Sequence, residues 1–140
     1  MIEQISNYFR RIGVDHEKDK KRQAVYFDVA TSVGTWQCLI LVSRTREVKS
    51  GVGVGFYSTL PTKVPDDLRK QMAMFLMCLN NDRILGNFEL DPKTGDLHFK
   101  TYIDFENRGF SEKAVERNML INISIMQEHM PKLTKMIKRA

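Results

Sequence analysis

Ile2, Ile5, Phe9 and Ile12 recur at intervals of three and four, the spacing of one helical face, and Gly13 ends the pattern. The polar run Asp15 to Gln23 reads as a loop or as a strand edge facing water. After it the period changes to two. Val25, Phe27 and Val29 alternate with Tyr26, Asp28 and Ala30, which predicts a strand with one buried face. Beyond a turn at Gly34, Trp36, Cys38, Ile40 and Val42 alternate with Gln37, Leu39, Leu41 and Ser43. This strand is apolar on both faces in its middle and is expected at the centre of a sheet. Arg44-Thr45-Arg46-Glu47 marks the next hairpin end, and Val52, Val54 and Phe56 carry a third strand, completing an antiparallel meander.

Pro61 and Pro65 break the alternation and lead into a helix, with Asp66 and Asp67 at its positive end. Leu68, Met72, Phe75, Leu76 and Leu79 form one stripe on it, and Met74, Met77 and Cys78 make the opposite side apolar too. A helix apolar nearly all round needs cover on two sides. A partner subunit is the expected second cover, with Met74, Met77 and Cys78 as the dimer contact. The helix ends at Asn80-Asn81, and a strand is predicted over Ile84–Leu90. The turn Asp91-Pro92-Lys93-Thr94-Gly95-Asp96 follows, with Pro92 presetting a type I turn and Gly95 free to take a positive φ. The returning strand spans Leu97–Phe105. Ser111 is placed as the N-cap of a last helix, with Phe110 stapling against Val115. Val115, Met119, Ile123, Met126 and Met130 line its main stripe, and Leu120, Ile121 and Ile125 widen it. Pro131 removes the bond to the Gln127 carbonyl, so a kink or restart is expected there.

The predicted order is α-β-β-β-α-β-β-α, an α+β fold in two layers over an antiparallel sheet. At 140 residues the chain is expected to form a single domain, 1–140. Its longest apolar runs fall well short of the roughly 18 to 20 residues that cross a bilayer, and the first residues lack a signal-peptide pattern. A cytoplasmic protein with no membrane partner is expected. Cys38 and Cys78 lack metal-ligand spacing and read as buried free thiols.

The chain carries a net charge of +5. Basic side chains gather early, at Arg10, Arg11, Lys18, Lys20, Lys21 and Arg22, and again at the end, at Lys132, Lys135, Lys138 and Arg139. The body between them is mildly acidic. Nucleic-acid or anionic-surface binding through these clusters is the alternative reading, set against an ordinary solvated surface.

Chemistry has few parts to work with. Gly51, Gly53 and Gly55 alternate, but no Gly-Lys-Ser/Thr and no following helix make a phosphate loop of them. They mark instead a strand whose face must accommodate a helix, a bulge or a guest peptide. His16, His98 and His129 lack a second ligand at metal spacing, and Ser58, Ser111 and Thr35 lack a base. Asp104 and Glu106 lie two apart on one strand face, where solvated charges explain them better than acid–base work. No catalytic, cofactor or metal residue is assigned.

The helix end Leu79-Asn80, the strand Gly86-Asn87-Phe88-Glu89-Leu90-Asp91, the turn residues Gly95-Asp96-Leu97 and the long closing helix together make the chain similar to YbjN-type domains. More distantly it resembles the fold of type III secretion chaperones. The resemblance implies helices packed on an antiparallel sheet, a homodimer, and a non-enzymatic role in regulation or protein binding. Such chaperones hold an extended client stretch over apolar grooves, aided by strand addition. On that model Ile5, Phe9, Val52, Val54 and Phe56 are expected to line a groove for a protein segment.

Overall fold

The computed structural model describes residues 1–44, 52–105 and 108–139. Helix α1 (Ile2–Ile12) ends where Gly13 enters the left-handed region at φ 77 and turns its N–H back on the last helical carbonyls. Four strands follow: β1 (Glu17–Asp19), β2 (Ala24–Thr31), β3 (Gly34–Arg44) and β4 (Val52–Thr59). A short 3-10 turn, Asp66–Leu68, leads into α2 (Arg69–Asn81), and then come β5 (Asn87–Leu90), β6 (Leu97–Asp104) and α3 (Glu112–Lys138). The sheet has six antiparallel strands in the order β1-β2-β3-β4-β6-β5. The α2 connection carries the chain from β4 past one strand position, and the β5–β6 hairpin then brings β6 back beside β4.

Register decides which face is dry. Phe27 pairs with Cys38, Cys38 with Ser58, Ser58 with Phe99 and Phe99 with Phe88, so one continuous row of inward side chains crosses five strands. Side chains opposite one another in an antiparallel ladder share a face, and this face carries the core. Phe9 of α1 meets Phe27 edge-on at 5.2 Å, α3 crosses β4 and β6, and α2 lies on β5. The result is two layers, helices against one side of the sheet. At the centre of the interface Asn122 of α3 is fully buried. Its amide donates to the carbonyls of Phe56 (2.9 Å) and Phe99 (3.1 Å) and to Thr101 Oγ1 (3.1 Å), while its oxygen accepts from Ser58 Oγ. Ser58 in turn accepts from the Trp36 indole at 2.9 Å.

The turn chemistry expected from sequence is present. Gly95 sits at φ 81, its N–H bonds the Asp91 carbonyl at 2.8 Å, and Asp91 Oδ1 accepts from the Lys93 N–H at 2.8 Å. Ser111 caps α3, its hydroxyl accepting from the Ala114 N–H.

The early polar run takes its strand-edge reading: it contains β1, a three-residue edge strand pairing Glu17 with Tyr26 and Asp19 with Ala24, which adds one strand to the expected order. Three expectations change. The strand expected from Ile84 starts only at Asn87, because Gly86 at φ 73 bends the chain out of the ladder. Helix α3 runs unbroken through Pro131. That proline faces solvent, and buried Met130, Leu133 and Ile137 hold both sides of it against the core. Cys78 is exposed rather than buried, since it lies on the side of α2 away from the sheet. Cys38 is buried, and burial pushes its thiol up to about 12, which leaves it unreactive at neutral pH. The hairpin end Arg44-Thr45-Arg46-Glu47 and Gly51 fall largely outside the described residues. Among those residues no helix is long and apolar enough to cross a membrane.

Candidate functional site

The groove expected at Ile5, Phe9, Val54 and Phe56 does not exist, because all four side chains have no accessible surface and form the centre of the core. Apolar residues at strand and helix periodicity mark the buried face, and here that face is covered by the chain's own helices. Val52 is half-buried at the start of β4. Exposed apolar surface lies elsewhere, on the outer side of α2 and where the loop after α2 and the first half of α3 approach the end of β6.

The chain from Asn81 to Asn87 is held at its base. Asn80 Nδ2 donates to the Phe88 carbonyl at 3.0 Å, and the Phe88 N–H returns to Asn80 Oδ1 at 2.7 Å. Above this clamp Arg83 turns inward. Its guanidinium lies 5.8 Å from the Phe88 and Phe99 ring centres and donates to His129 Nε2. Arginine cannot accept a hydrogen bond, so this contact needs a neutral imidazole with a lone pair on Nε2. Burial first, and the Arg83 charge second, push the His129 imidazole below its ordinary value. With Arg83 pinned, Ile84 points fully into solvent at 99% exposure and Leu85 is half exposed at 53%.

Leu85 forms one wall of a cleft of about 390 Å³ whose other sides are Tyr102, Ile103 and Asp104 of β6 and Ala114, Arg117, Asn118 and Ile121 of α3. Strand β5 pairs with β6 only as far as Asn87 opposite Lys100. Thr101, Tyr102 and Ile103 continue to pair with β4, but on the cleft side they have no strand neighbour among the described residues. Among the described residues the buried side-chain oxygen of Asn118 has no donor. Leu120, 56% exposed, extends the apolar surface along α3. The sequence hinted at this: the apolar positions of α3 span too wide an arc for one-sided burial, and Gly86 directly follows Leu85. Neither hint told where the groove would form, since that depends on β5 stopping short of the end of β6.

The outer face of α2 carries Met74 and Met77 at 62% and 64% exposure, with Cys78 beside them. These are the residues expected at a dimer contact, and within one chain nothing among the described residues covers them.

The remaining candidates resolve into structural roles. His16 Nδ1 donates to the Val14 carbonyl at 2.8 Å, which leaves Nε2 to accept from Ser6 Oγ at 2.7 Å. His98 lies edge-on to Tyr57 and within 3.0 Å of Glu89 Oε1, on the outer face of the sheet. Lys100 also reaches Glu89, at 2.9 Å. Although burial raises the Glu89 carboxyl, the hydrogen bonds from Lys100 and His98 outweigh it and hold the group below its usual value. The alternating glycines make room for side chains: a Cβ on Gly53 would stand 1.6 Å from Tyr102 Oη, and one on Gly55 2.8 Å from Tyr57 Cε2. The two tyrosine rings lie across the strand backbone on the face that carries no helix. Asp104 is exposed at the end of β6, and Glu106 lies outside the described residues. No group of three or more metal-ligating side chains gathers among the described residues. The early basic cluster is partly occupied, with Lys18 paired to Glu3 and Arg11 to Glu112. Lys20, Lys21 and Arg22 lie in or next to the β1–β2 turn, while Lys132 covers the Phe75 ring near the end of α3.

This arrangement of sheet and helices has a solved counterpart in YbjN from E. coli, described as a proposed transcription regulator. The match covers 95% of this chain and 93% of that one, with a TM-score of 0.64. The fold is of the YbjN type. Sequence identity over it is 10%, so the YbjN likeness speaks for architecture and leaves the surface chemistry to this chain's own residues. No family model matches the sequence, and no curated protein matches it.

Proposed function

We propose that this chain is a non-enzymatic regulatory scaffold that binds an extended segment of a partner protein in the cleft between β6 and α3, acting as a homodimer joined through α2. The observation that carries this reading is the open end of β6. Among the described residues β6 has no strand neighbour on that side beyond Lys100, so the N–H and C=O of Tyr102 face outward beside a cleft walled by Leu85, Ile103 and Ile121, offering backbone bonds to an added strand and apolar contacts for its alternate side chains. The oxygen of Asn118, without a donor among the described residues, adds an acceptor that an incoming N–H would satisfy. An exposed apolar surface that includes Leu85 and Leu120 is the kind that marks an interaction site. The cytoplasm is the compartment that fits, since both cysteines are free thiols.

The test is affinity capture from the native cell with wild-type protein, Leu85→Asp, Ile121→Asp and, as a control on the opposite face of the sheet, Gln37→Glu. A protein retained by wild type and control and lost by both cleft variants supports the reading. Retention unaffected by either cleft change refutes it.

A further inference from the structure

The residue that closes one wall of the cleft, Leu85, sits two positions from Arg83, and Arg83 is held by an unusual set of partners. Its guanidinium has two aromatic rings and a neutral imidazole around it, and its buried Nε finds no acceptor among the described residues. The base of the segment is fastened separately, by the two Asn80–Phe88 hydrogen bonds. Losing the Arg83 contact would therefore leave the helix and strand ends joined while freeing the span between them.

The imidazole is the weak point of this anchor. As an acceptor it holds the arginine; with a proton on Nε2 it becomes a second donor and a second cation against the first. The charged groups that face it are few. Arg83 comes from the α2–β5 segment, Glu128 from its own helix at 3.9 Å with a largely solvent-exposed carboxylate, and β5 presents the edge of the Phe88 ring at 5.4 Å. Glu128 is too exposed to neutralise two cations.

We propose that the Arg83–His129 contact is an acid-sensitive latch on the cleft: protonation of His129 expels Arg83, and the 82–86 segment carries Leu85 away from the wall it forms. The consequence for binding rests on the cleft being the site of segment capture, as argued above. The partner segment then loses its Leu85 contact and is held more weakly in acid than at neutral pH. The low setting of the imidazole, caused by burial and then by the Arg83 charge, places the release below the ordinary histidine midpoint of about 6.5.

Amide hydrogen exchange reads the latch without any partner. After correction for intrinsic rates, the amides of Asp82 and Arg83, which both bond the Asn80 carbonyl, are expected to lose protection between pH 7.5 and 5.0 in the wild type. His129→Gln, which keeps an acceptor and cannot take a proton, retains protection at both values, and Arg83→Gln lacks it at both. Equal wild-type protection at the two values overturns the latch, as does the same acid loss in His129→Gln. Should His129→Gln fail to fold, the His129 ring titration followed by NMR in the wild type decides: its midpoint must coincide with the onset of exchange, and a midpoint more than about one unit away overturns the latch. Capture of a segment at pH 7.5 and 5.0 then separates the two proposals. A responsive latch on a chain that captures nothing sinks the binding reading alone, while capture that ignores pH in the presence of a responsive latch sinks the link between them.

Discussion

Ser58 of β4 donates its hydroxyl proton to the side-chain oxygen of Asn122 on α3 at 2.6 Å, a bond between strand and helix in the driest part of the molecule. The same asparagine satisfies two strand carbonyls, so one side chain fixes the seating of α3 on two neighbouring strands. Asn122→Ala strands the Ser58 hydroxyl and leaves both carbonyls short of a donor. A loss of about 2–4 kcal/mol follows, given roughly 1–3 kcal/mol for each buried group left unsatisfied and some relaxation. Urea denaturation measures it. A loss under about 1 kcal/mol would mean that water or a shifted helix replaces the bonds.

Gly53 and Gly86 separate two kinds of crowding. A methyl on Gly53 meets only the outer end of the Tyr102 ring, which is exposed and can swing away. A methyl on Gly86 meets Phe99 Cζ at 2.5 Å and the Lys100 carbonyl at 2.8 Å, in a backbone at φ 73 that disfavours any side chain. Gly53→Ala should therefore cost about 1 kcal/mol or less, and Gly86→Ala about 2–4 kcal/mol. Thermal melts of the two variants check the order, and the reverse order would contradict the packing described.

The YbjN-type architecture was legible because its signals are periodic and local. The alternation in β2, β3 and β4, the Pro92–Gly95 turn and the Ser111 cap all act within a few residues and survive in the structure. The site was not legible, and Phe56 shows why. Periodicity says that Val54 and Phe56 share an apolar face, but whether a helix of the same chain or a guest covers that face is a long-range fact. Here α1 and α3 cover it, so Phe56→Ala should cost about 3–5 kcal/mol as a core truncation, while Leu120→Glu on the exposed flank should stay within about 0.5 kcal/mol. Equal effects in urea melts would reverse the assignment of core and surface.

Glu89 provides a pH-dependence of known sign. Its carboxyl is held below the ordinary value by Lys100 and His98 despite partial burial. A carboxyl with a lowered folded value contributes stability that is fully present above the unfolded value, about 4.3–4.5, and is lost as pH falls through the folded value. Stability of the wild type should thus drop from about pH 4.5 downward more steeply than that of Glu89→Gln, which has no carboxyl to protonate. Guanidine midpoints of both proteins between pH 3 and 6 test this, and parallel curves would show that the Lys100 contact contributes nothing.

Met77 tests the second half of the proposed function. It stands with Met74 and Cys78 on the side of α2 turned away from the sheet, and the chain leads from there directly to exposed Ile84. Burying two methionines in a dimer contact would contribute roughly 1.5–3 kcal/mol each. Replacing one with a carboxylate forfeits that share and adds the cost of desolvating a charge, so Met77→Glu should weaken dimerisation by about 3 kcal/mol or more, at least a hundredfold in Kd. Light scattering should give the wild type a mass near twice the 16.3 kDa chain and the variant a mass near one chain at the same concentration. The unfolding midpoint of the variant monomer should be unaffected by the exposed charge itself. A wild type that stays monomeric at high concentration, with Met77→Glu indistinguishable from it, removes the dimer from the proposal while leaving the cleft between β6 and α3 to stand on its own test.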